Sequence, residues 1–325
     1  MSWKPFRNLL LVPLFLMLGG CNLVVLHPAG QVAVGERDLL VASTLLMCLI
    51  IVPVMILVAV IAYRYRQSNR QANYDPDWEH SIQLELIIWA APLLIIIALG
   101  ALTWIGTHKL DPYRPIDSAS AAGTASKPAD PMTIKVVSLD WQWLFLYPKY
   151  HIATVNQIAA PVGVPIRFRL TSQTVMDSFF VPALAGQIYT MAGMETRLHA
   201  VINKVGSFRG FSANISGDGF TDMRFRFLGM SGADFKKWVQ KVRSSGGDLN
   251  PTTYAELAKP TRNGPVKYYA KYSPKLYEAI LHRCIPHLDT SCTNRRLAAA
   301  MGGQPAHGTM AHAAGDSSPR TAAAN

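Results

Sequence analysis

The sequence predicts a membrane α + β protein: an N-terminal transmembrane helical hairpin, then a β-sandwich outside the cytoplasm, then a small C-terminal helical appendix. Hydrophobic residues make up 50% of the 325 residues and charged residues only 16%. The apolar residues are bunched into two long uncharged runs near the amino terminus. Farther along, short alternating apolar segments are separated by Gly, Pro, Asp and Ser, which is typical of strands and turns.

Residues 1–20 have the anatomy of a lipoprotein signal peptide. Two basic residues precede an uncharged run over residues 9–18, and two glycines lead directly into Cys21. Because this run is shorter than the roughly 20 residues that a membrane helix needs, it suits a cleaved segment better than a permanent span. The sequence therefore predicts lipidation of Cys21 at the start of a mature N-terminus over residues 21–37, with an incidental cysteine as the alternative.

Two stretches without a charged side chain, residues 39–63 and 86–107, are each long enough to cross the hydrocarbon core as a helix. They predict a transmembrane hairpin over residues 38–109. Three arginines follow the first stretch and place the short connection in the cytoplasm by the positive-inside bias: Arg64, Arg66 and Arg70. Both ends of the hairpin are therefore expected on the periplasmic side.

The remaining chain divides by composition into four parts. Residues 110–131 are rich in Ala, Ser, Gly and Pro and are predicted to be a linker. Residues 132–230 contain apolar alternation typical of a sandwich, at 133–137, 165–170 and 223–227. Residues 231–290 are predicted to be a helical region, with helices at 233–242, 254–257 and 274–282. Residues 291–325 are expected to be a disordered tail.

Charge and cysteine usage narrow the function classes. The formal net charge is +11, but the basic residues are scattered and an exported membrane protein does not meet nucleic acid. Contact with solvent or with anionic lipid headgroups accounts for these residues instead. Cys284 and Cys292 could pair in an oxidising periplasm or remain as two thiols, and Cys48 in the first span is most simply a small apolar residue.

Two short segments of the predicted sandwich carry a family resemblance: DWQW at residues 140–143 and QIYTMAGM at residues 187–194. Together with the two spans and the ending Leu18-Gly19-Gly20-Cys21, which resembles a bacterial lipobox, they resemble subunit II of cytochrome bo-type ubiquinol oxidases of the haem-copper superfamily. The resemblance implies a cupredoxin-like sandwich and a proton-pumping quinol oxidase of the aerobic respiratory chain in the bacterial inner membrane. It also implies that the haems, the copper and the quinol site belong to subunit I, and that further membrane subunits are partners.

The wider superfamily includes cytochrome c oxidase subunit II, which holds a dinuclear copper centre through a His and the spacing C-x-E-x-C-x-x-x-H-x-x-M. On this chain Asp177 replaces the first His, and the other positions are Ser212, Asn214, Ser216, Phe220 and Met223. Hydroxyls do not replace bridging thiolates and a phenyl ring has no lone pair, so only Met223 matches the copper ligands. No cysteine lies between Cys48 and Cys284, which also excludes a blue-copper site and leaves no metal or other cofactor expected in this chain.

Other residues of the sandwich are interpreted as structural. The two histidines there, His151 and His199, are expected to be hydrogen-bonded structural residues, and Met191 and Met194, like Met223, are expected in the core. Trp141 and Trp143 resemble the electron-receiving aromatic patch of the copper-bearing relatives, but without copper they are expected to serve packing or interface contact. The family usually carries Asn where this chain has Asp177. The resemblance therefore does not assign the side-chain hydrogen bonds that close the former copper site.

Glu85 stands just before the second apolar stretch on the cytoplasmic side. It resembles the glutamate that the family places at the mouth of a proton-conducting pathway into subunit I. The alternative is a carboxylate that only stabilises a helix N-terminus. We predict no catalytic residue in this chain, with this possible proton entry as the single contribution to chemistry.

Two other functions stay open on the sequence alone. A copper-bearing cytochrome c oxidase subunit II would transfer electrons, but it needs the thiolates that Ser212 and Ser216 lack. A free lipoprotein with a cupredoxin-like binding module would have no oxidase partner. Co-purification with a haem protein distinguishes this module from an oxidase subunit.

Overall fold

The computed structural model describes residues 23–71, 75, 77–116, 130–286, 288, 292 and 301. The predicted signal peptide, the lipidation site at Cys21, most of the predicted linker and nearly all of the predicted tail lie outside the described residues. In the described part, two long apolar helices precede two packed β-sheets and short C-terminal helices. The predicted fold class is therefore confirmed.

Helix α1 covers Gln31–Arg64 and helix α2 covers Ile82–Lys109. Both are long and apolar enough to cross a membrane, and neither is buried inside the chain along its most apolar stretch. At 1.5 Å per residue, the 34 residues of α1 extend for about 51 Å, more than the roughly 30 Å of a hydrocarbon core. Helix α1 therefore begins about two turns before the uncharged stretch that the sequence marks as the span.

The sandwich is built from short strands, most of them rich in β-branched and aromatic residues. In chain order they are β1 (Met132–Leu139), β2 (Gln142–Tyr147), β3 (Ile152–Val155), β4 (Gln157–Pro161), β5 (Pro165–Ser172), β6 (Asp177–Val181), β7 (Ala185–Thr190), β8 (Thr196–Val201), β9 (Gly206–Ser212) and β10 (Arg224–Met230). Three short strands follow: β11 (Asp248–Leu249), β12 (Lys267–Tyr269) and β13 (Lys271–Tyr272).

The strands form two main sheets. One has six strands in the order β12-β3-β2-β1-β5-β8, and the other has five in the order β4-β10-β9-β6-β7. Strand β1 runs parallel to β5 and β10 runs parallel to β4, whereas the remaining neighbours in these two sheets are antiparallel. Aromatic side chains fill the space between the sheets: Trp143, Phe145, Phe168, Phe179, Phe225 and Phe227.

The C-terminal region contains helices α3 (Gly232–Ser244), α4 (Pro251–Leu257) and α5 (Leu276–Leu281). The predicted helices are confirmed, but the region is not only helical, because β12 extends the six-stranded sheet and β11 pairs with β13. A second apolar core joins the outer face of β1 and β2 to α4 and α5. The structure also pairs Cys284 with Cys292 in a disulfide.

Both outer ends of the hairpin are attached to the sandwich through the backbone. Before α1, Gly30 forms a β-bridge with Ile202, and the amides of Ala29 and Gly30 donate to the carbonyl of Ala183 at 2.8 and 2.7 Å. After α2, the carbonyl of Pro112 lies 3.1 Å from the amide of His199 and 3.2 Å from its Nδ1. These bonds fix the sandwich over the end of the hairpin formed by the start of α1 and the end of α2.

Candidate functional site

The positions of the degenerate copper pattern meet at one end of the five-stranded sheet. Asp177 begins β6 and Ser212 ends the neighbouring β9, and the two strands are in register through Phe179 and Ser212. The amide of Ser212 donates to the carbonyl of Met223 at 3.1 Å. Although these residues are far apart in the sequence, the sheet brings them together as the spacing predicts.

Asp177 is the centre of a buried hydroxyl network. Only 1% of the surface of this residue is exposed to solvent. The Ser212 hydroxyl lies 3.3 Å from Asp177 Oδ1 and 3.2 Å from the carbonyl of Asn214, and its single hydrogen can serve one of them at a time. Thr190 Oγ1 donates to the Asp177 carbonyl at 3.3 Å and lies 3.0 Å from the hydroxyl of Ser138.

Burial raises the pKa of the Asp177 carboxyl above its usual range, because a dry environment disfavours the charged form. The nearby charge of Asp140 raises this pKa further. The hydroxyls of Ser216, Ser138 and Ser212 favour the ionised form and oppose the shift without cancelling it. Of these, the Ser216 hydroxyl is buried and has no partner with full hydrogen-bond geometry in the described part of the chain.

The indole of Trp141 covers the loop that carries Ser216. Trp141 has φ of 66°, in the left-handed region, and its Nε1 donates to the carbonyl of Ser216 at 3.3 Å. The ring lies so close to the loop that a Cβ on Gly219 would be 2.3 Å from Trp141 Cδ2. The tight packing holds the loop closed against the end of the sandwich.

The remaining positions add no strong ligand. Met223 is fully buried, Phe220 is partly buried, and Asn214 Nδ2 donates to the carbonyl of Met176 at 3.0 Å. The assembled donors are thus one thioether and several hard oxygens. A copper centre needs thiolates and imidazoles, so these residues do not fit either the dinuclear or the blue-copper site. Within the described ranges, no group of three or more His, Cys, Asp or Glu could hold a metal ion.

The other candidate residues of the sandwich differ in their exposure and contacts. His199 is 8% exposed, its Nδ1 is hydrogen-bonded to Pro112, and burial lowers its pKa, as suits a structural histidine. His151 is exposed in a turn with φ of 55°. Trp143 is fully buried between the sheets. The expectation of a core position is wrong for Met194, which is 56% exposed.

Glu85 lies far from this cluster, in the first turn of α2. Its side chain is half-exposed, and its Oε1 lies 2.6 Å from Nδ1 of His80. Sequence reasoning missed His80, since a lone histidine in a charged loop gives no signal of its partner. It likewise missed Ser138 and Thr190, which reach Asp177 only through the pairing of distant strands.

Two family descriptions match parts of the chain: "Cytochrome C oxidase subunit II, periplasmic domain" at residues 149–226 and "COX Aromatic Rich Motif" at residues 243–287. The chain is 47% identical to cytochrome bo(3) ubiquinol oxidase subunit 2 of Pseudomonas aeruginosa over 84% of this chain and 80% of that protein. It is 45% identical to ubiquinol oxidase subunit 2 of Acetobacter aceti, over 82% and 84% of the two chains. It is 42% identical to quinol oxidase subunit 2 of Bacillus cereus, over 79% and 86%.

Among solved structures, the periplasmic domain of subunit II of cytochrome oxidase from Bradyrhizobium japonicum is 22% identical. The match covers 38% of this chain and 99% of that one, with a TM-score of 0.35. At this identity and TM-score the match assigns no chemistry to the side chains described above.

Proposed function

The chain belongs to the family of subunit 2 of ubiquinol oxidases, and we propose that it serves a proton-pumping quinol oxidase as a copper-free subunit. The complex oxidises ubiquinol, reduces oxygen to water and moves protons across the membrane. The observation that carries the copper-free role is the replacement of a metal centre by the network of Asp177, Ser212 and Ser216. An oxygen-rich, buried acid in this position is unsuited to accept single electrons.

The source of the electrons explains why this subunit can function without copper. A soluble cytochrome delivers them one at a time from outside the membrane, so its oxidase needs an external relay. A quinol dissolves in the bilayer and can donate directly to a membrane-embedded site. We therefore place the haems, the catalytic copper and the quinol site in subunit I. This chain contributes a two-helix contact and a periplasmic cap over that subunit, beside further membrane subunits.

The proposal includes a lipid anchor in the bacterial inner membrane, with the signal peptide removed and Cys21 acylated, for example with palmitate. The support is the surface next to that position. Four apolar residues there are 40–55% exposed: Leu23, Val24, Val25 and Leu26. An apolar turn at the outer end of α1 would lie in the lipid beside an acylated Cys21. The chain would then be both multi-pass and lipid-anchored, with the sandwich in the periplasm.

Glu85 is proposed as the entry of a proton pathway into subunit I. Glu85 lies in the first turn of α2, the end predicted to face the cytoplasm, and its half-exposed carboxylate would have access to water there. The contact with His80 offers a second proton-carrying group at 2.6 Å. This role depends on the neighbouring subunit continuing the pathway.

Mild detergent extraction of the full-length chain tests the proposal. We expect a haem protein to copurify, with a visible haem spectrum and ubiquinol-dependent oxygen consumption. The full-length chain expressed without partners should contain no stoichiometric copper by elemental analysis. Stoichiometric copper in that preparation would favour the copper-bearing cytochrome c oxidase subunit. A chain that purifies without any haem protein would favour the stand-alone binding module.

A further inference from the structure

A cavity of about 360 Å³ lies between the outer ends of the hairpin and the sandwich. It is lined by the start of α1, by the segment after α2, and by residues of β7 and β8. Glu36 and Lys109, both in its wall, are three and two residues outside the uncharged stretches 39–63 and 86–107. At 1.5 Å per residue, both lie within about 5 Å of the ends of these uncharged stretches along the helix axes, which fits the depth of the lipid headgroups.

One part of the wall is cationic. Lys109 and Arg114 both line the cavity, and among the described residues neither has a carboxylate within 4.0 Å. Asp111 also faces the cavity, but its Oδ1 already accepts from the amide of Tyr113 at 2.9 Å. Unpaired guanidinium and ammonium groups at headgroup depth are suited to a phosphate.

Another part of the wall offers acceptors. Gln31 Oε1 is buried and has no donor among the residues that the structure describes. Glu36 also lines the cavity, and its carboxylate approaches the backbone of Gly186, where an added Cβ would be 2.5 Å from Glu36 Oε1. A buried acceptor without a donor calls for a ligand that supplies one.

We propose that this cavity binds the headgroup of a zwitterionic phospholipid with a primary ammonium group. Lys109 and Arg114 hold the phosphate, and Gln31 Oε1 and Glu36 accept from the ammonium. A primary ammonium has three N–H donors, whereas a trimethylammonium has none, so the orphan acceptor selects the former. The acyl chains continue along the apolar surfaces of α1 and α2. This site does not depend on the quinol-oxidase role.

Native mass spectrometry of the full-length protein from nanodiscs of defined composition tests the site, with whatever subunits accompany the chain. We expect about one tightly held phosphatidylethanolamine per chain, in line with a single built site. The double variant Lys109→Gln/Arg114→Gln should retain at least about tenfold less of this lipid. The matched control is Arg66→Gln/Arg70→Gln on the cytoplasmic loop, which should retain as much as the wild type. Equal retention by the double variant and its control overturns the proposal.

A second variant tests the recognition of the ammonium group separately from that of the phosphate. Gln31→Met keeps the length of the side chain but removes one of the two acceptors, so the preference for phosphatidylethanolamine over phosphatidylcholine should fall, and Gln31→Met/Glu36→Met should bring it to about unity. Wild-type protein that already retains both lipids equally would contradict the ammonium part. Displacement of the lipid by inorganic phosphate or by free phosphoethanolamine, at equal concentration, would identify a site for a soluble anion instead. If the double variant does not fold, the conservative Arg114→Lys variant, which should keep the lipid, is compared with Arg114→Gln.

Discussion

The hydroxyl of Tyr147 donates to the carbonyl of Ala159 at 3.0 Å and accepts from the amide of the same residue at 2.8 Å. Tyr147 lies on β2 of the six-stranded sheet, and Ala159 lies on β4, the edge strand of the other sheet. One buried side chain thus satisfies the amide and the carbonyl of Ala159 on the free edge of the opposite sheet. The dry setting raises the pKa of the Tyr147 hydroxyl above its usual range, so the group stays a neutral donor and acceptor.

Tyr147→Phe should destabilise the sandwich by about 1–3 kcal/mol, because it leaves a buried amide and a buried carbonyl without partners. Denaturant unfolding of the detergent-solubilised chain measures the loss. The control is Tyr150→Phe, which keeps the ring packing on Phe235 and loses a hydroxyl with no hydrogen bond in the described chain. Equal losses in the two variants would show that the contact to Ala159 adds nothing.

Asp177→Asn should stabilise the protein in a pH-dependent way. The folded pKa of Asp177 is raised, so the unfolded chain ionises at a lower pH than the folded one, and stability falls as pH rises between the two pKa values. The amide avoids this loss. Its advantage in Tm should be largest at neutral pH and above, and should vanish below about pH 4, where the unfolded carboxyl is also protonated. Asp130→Asn, at an exposed position, is the control.

A Tm difference between Asp177→Asn and wild type that stays constant from pH 4 to pH 8 would contradict the buried-acid interpretation. Such a result would mean that the carboxylate is ionised in the folded protein throughout this range. The hydroxyls around it would then outweigh the effect of burial.

Gly219→Ala should destabilise the loop over the former copper position by about 1–3 kcal/mol. The new Cβ would lie 2.3 Å from Trp141 Cδ2, and the backbone φ of −99° at Gly219 imposes no other penalty on alanine. The control is Gly232→Ala at the start of α3, where nothing lies within 4 Å of the added atom. A red shift of tryptophan emission should accompany the loss if the indole is displaced, and a variant as stable as the control would refute the close packing.

Glu85→Gln should slow oxygen consumption and proton pumping by the assembled oxidase when proton entry limits turnover. The amide preserves size and the hydrogen bond with His80 but cannot exchange a proton. Steady-state turnover and proton release from vesicles give the two readouts. Glu79→Gln, in the loop just before α2, should leave both rates unchanged. Unaltered rates in Glu85→Gln would leave this carboxylate as a helix N-terminal charge only.

Removal of the disulfide should lower the free energy of unfolding by about 2–3 kcal/mol. The bond closes a short loop and so restricts the conformations of the unfolded chain. The variant is Cys284→Ala/Cys292→Ala, with Cys48→Ala in α1 as the control. A reducing agent should lower the Tm of the wild type but leave the double variant unchanged. If the wild type is insensitive to the reductant while its thiols react with a labelling reagent, the bond does not stabilise the fold.

The hairpin and the main strands could be predicted because each leaves a strong local pattern. An uncharged run of membrane length is rare in the sequence of a water-soluble domain, and alternation over five residues is enough to mark strands such as β5. Strand β12 left no such pattern, because three residues are too few for a period of two to be visible. Its tyrosines pack against two different cores, Tyr268 against the one between the sheets and Tyr269 against the one beside α4 and α5, and only the tertiary structure brings these cores to β3.

The candidate site was predictable in its positions but not in its environment. The motif spacing located Asp177, Ser212 and Met223, and the register of β6 and β9 brings them together. The partners Ser138 and Thr190 come from β1 and β7, and their contact depends on a sheet order that the sequence does not state. Met194 was misjudged because a thioether is apolar enough for the core yet tolerated at a surface.

The bridge between Gly30 and Ile202 makes the segment ahead of α1 a part of the sandwich. The carbonyl of Ala183 receives two amides from the stretch ahead of α1, and the buried Ala29 and Ala33 pack there. A sandwich made without this segment would leave the carbonyl of Ala183 without these two donors and would uncover the surface on which Ala29 packs. A fragment that starts after α2 lacks this segment, so we expect it to expose the surface that the segment covers and to aggregate.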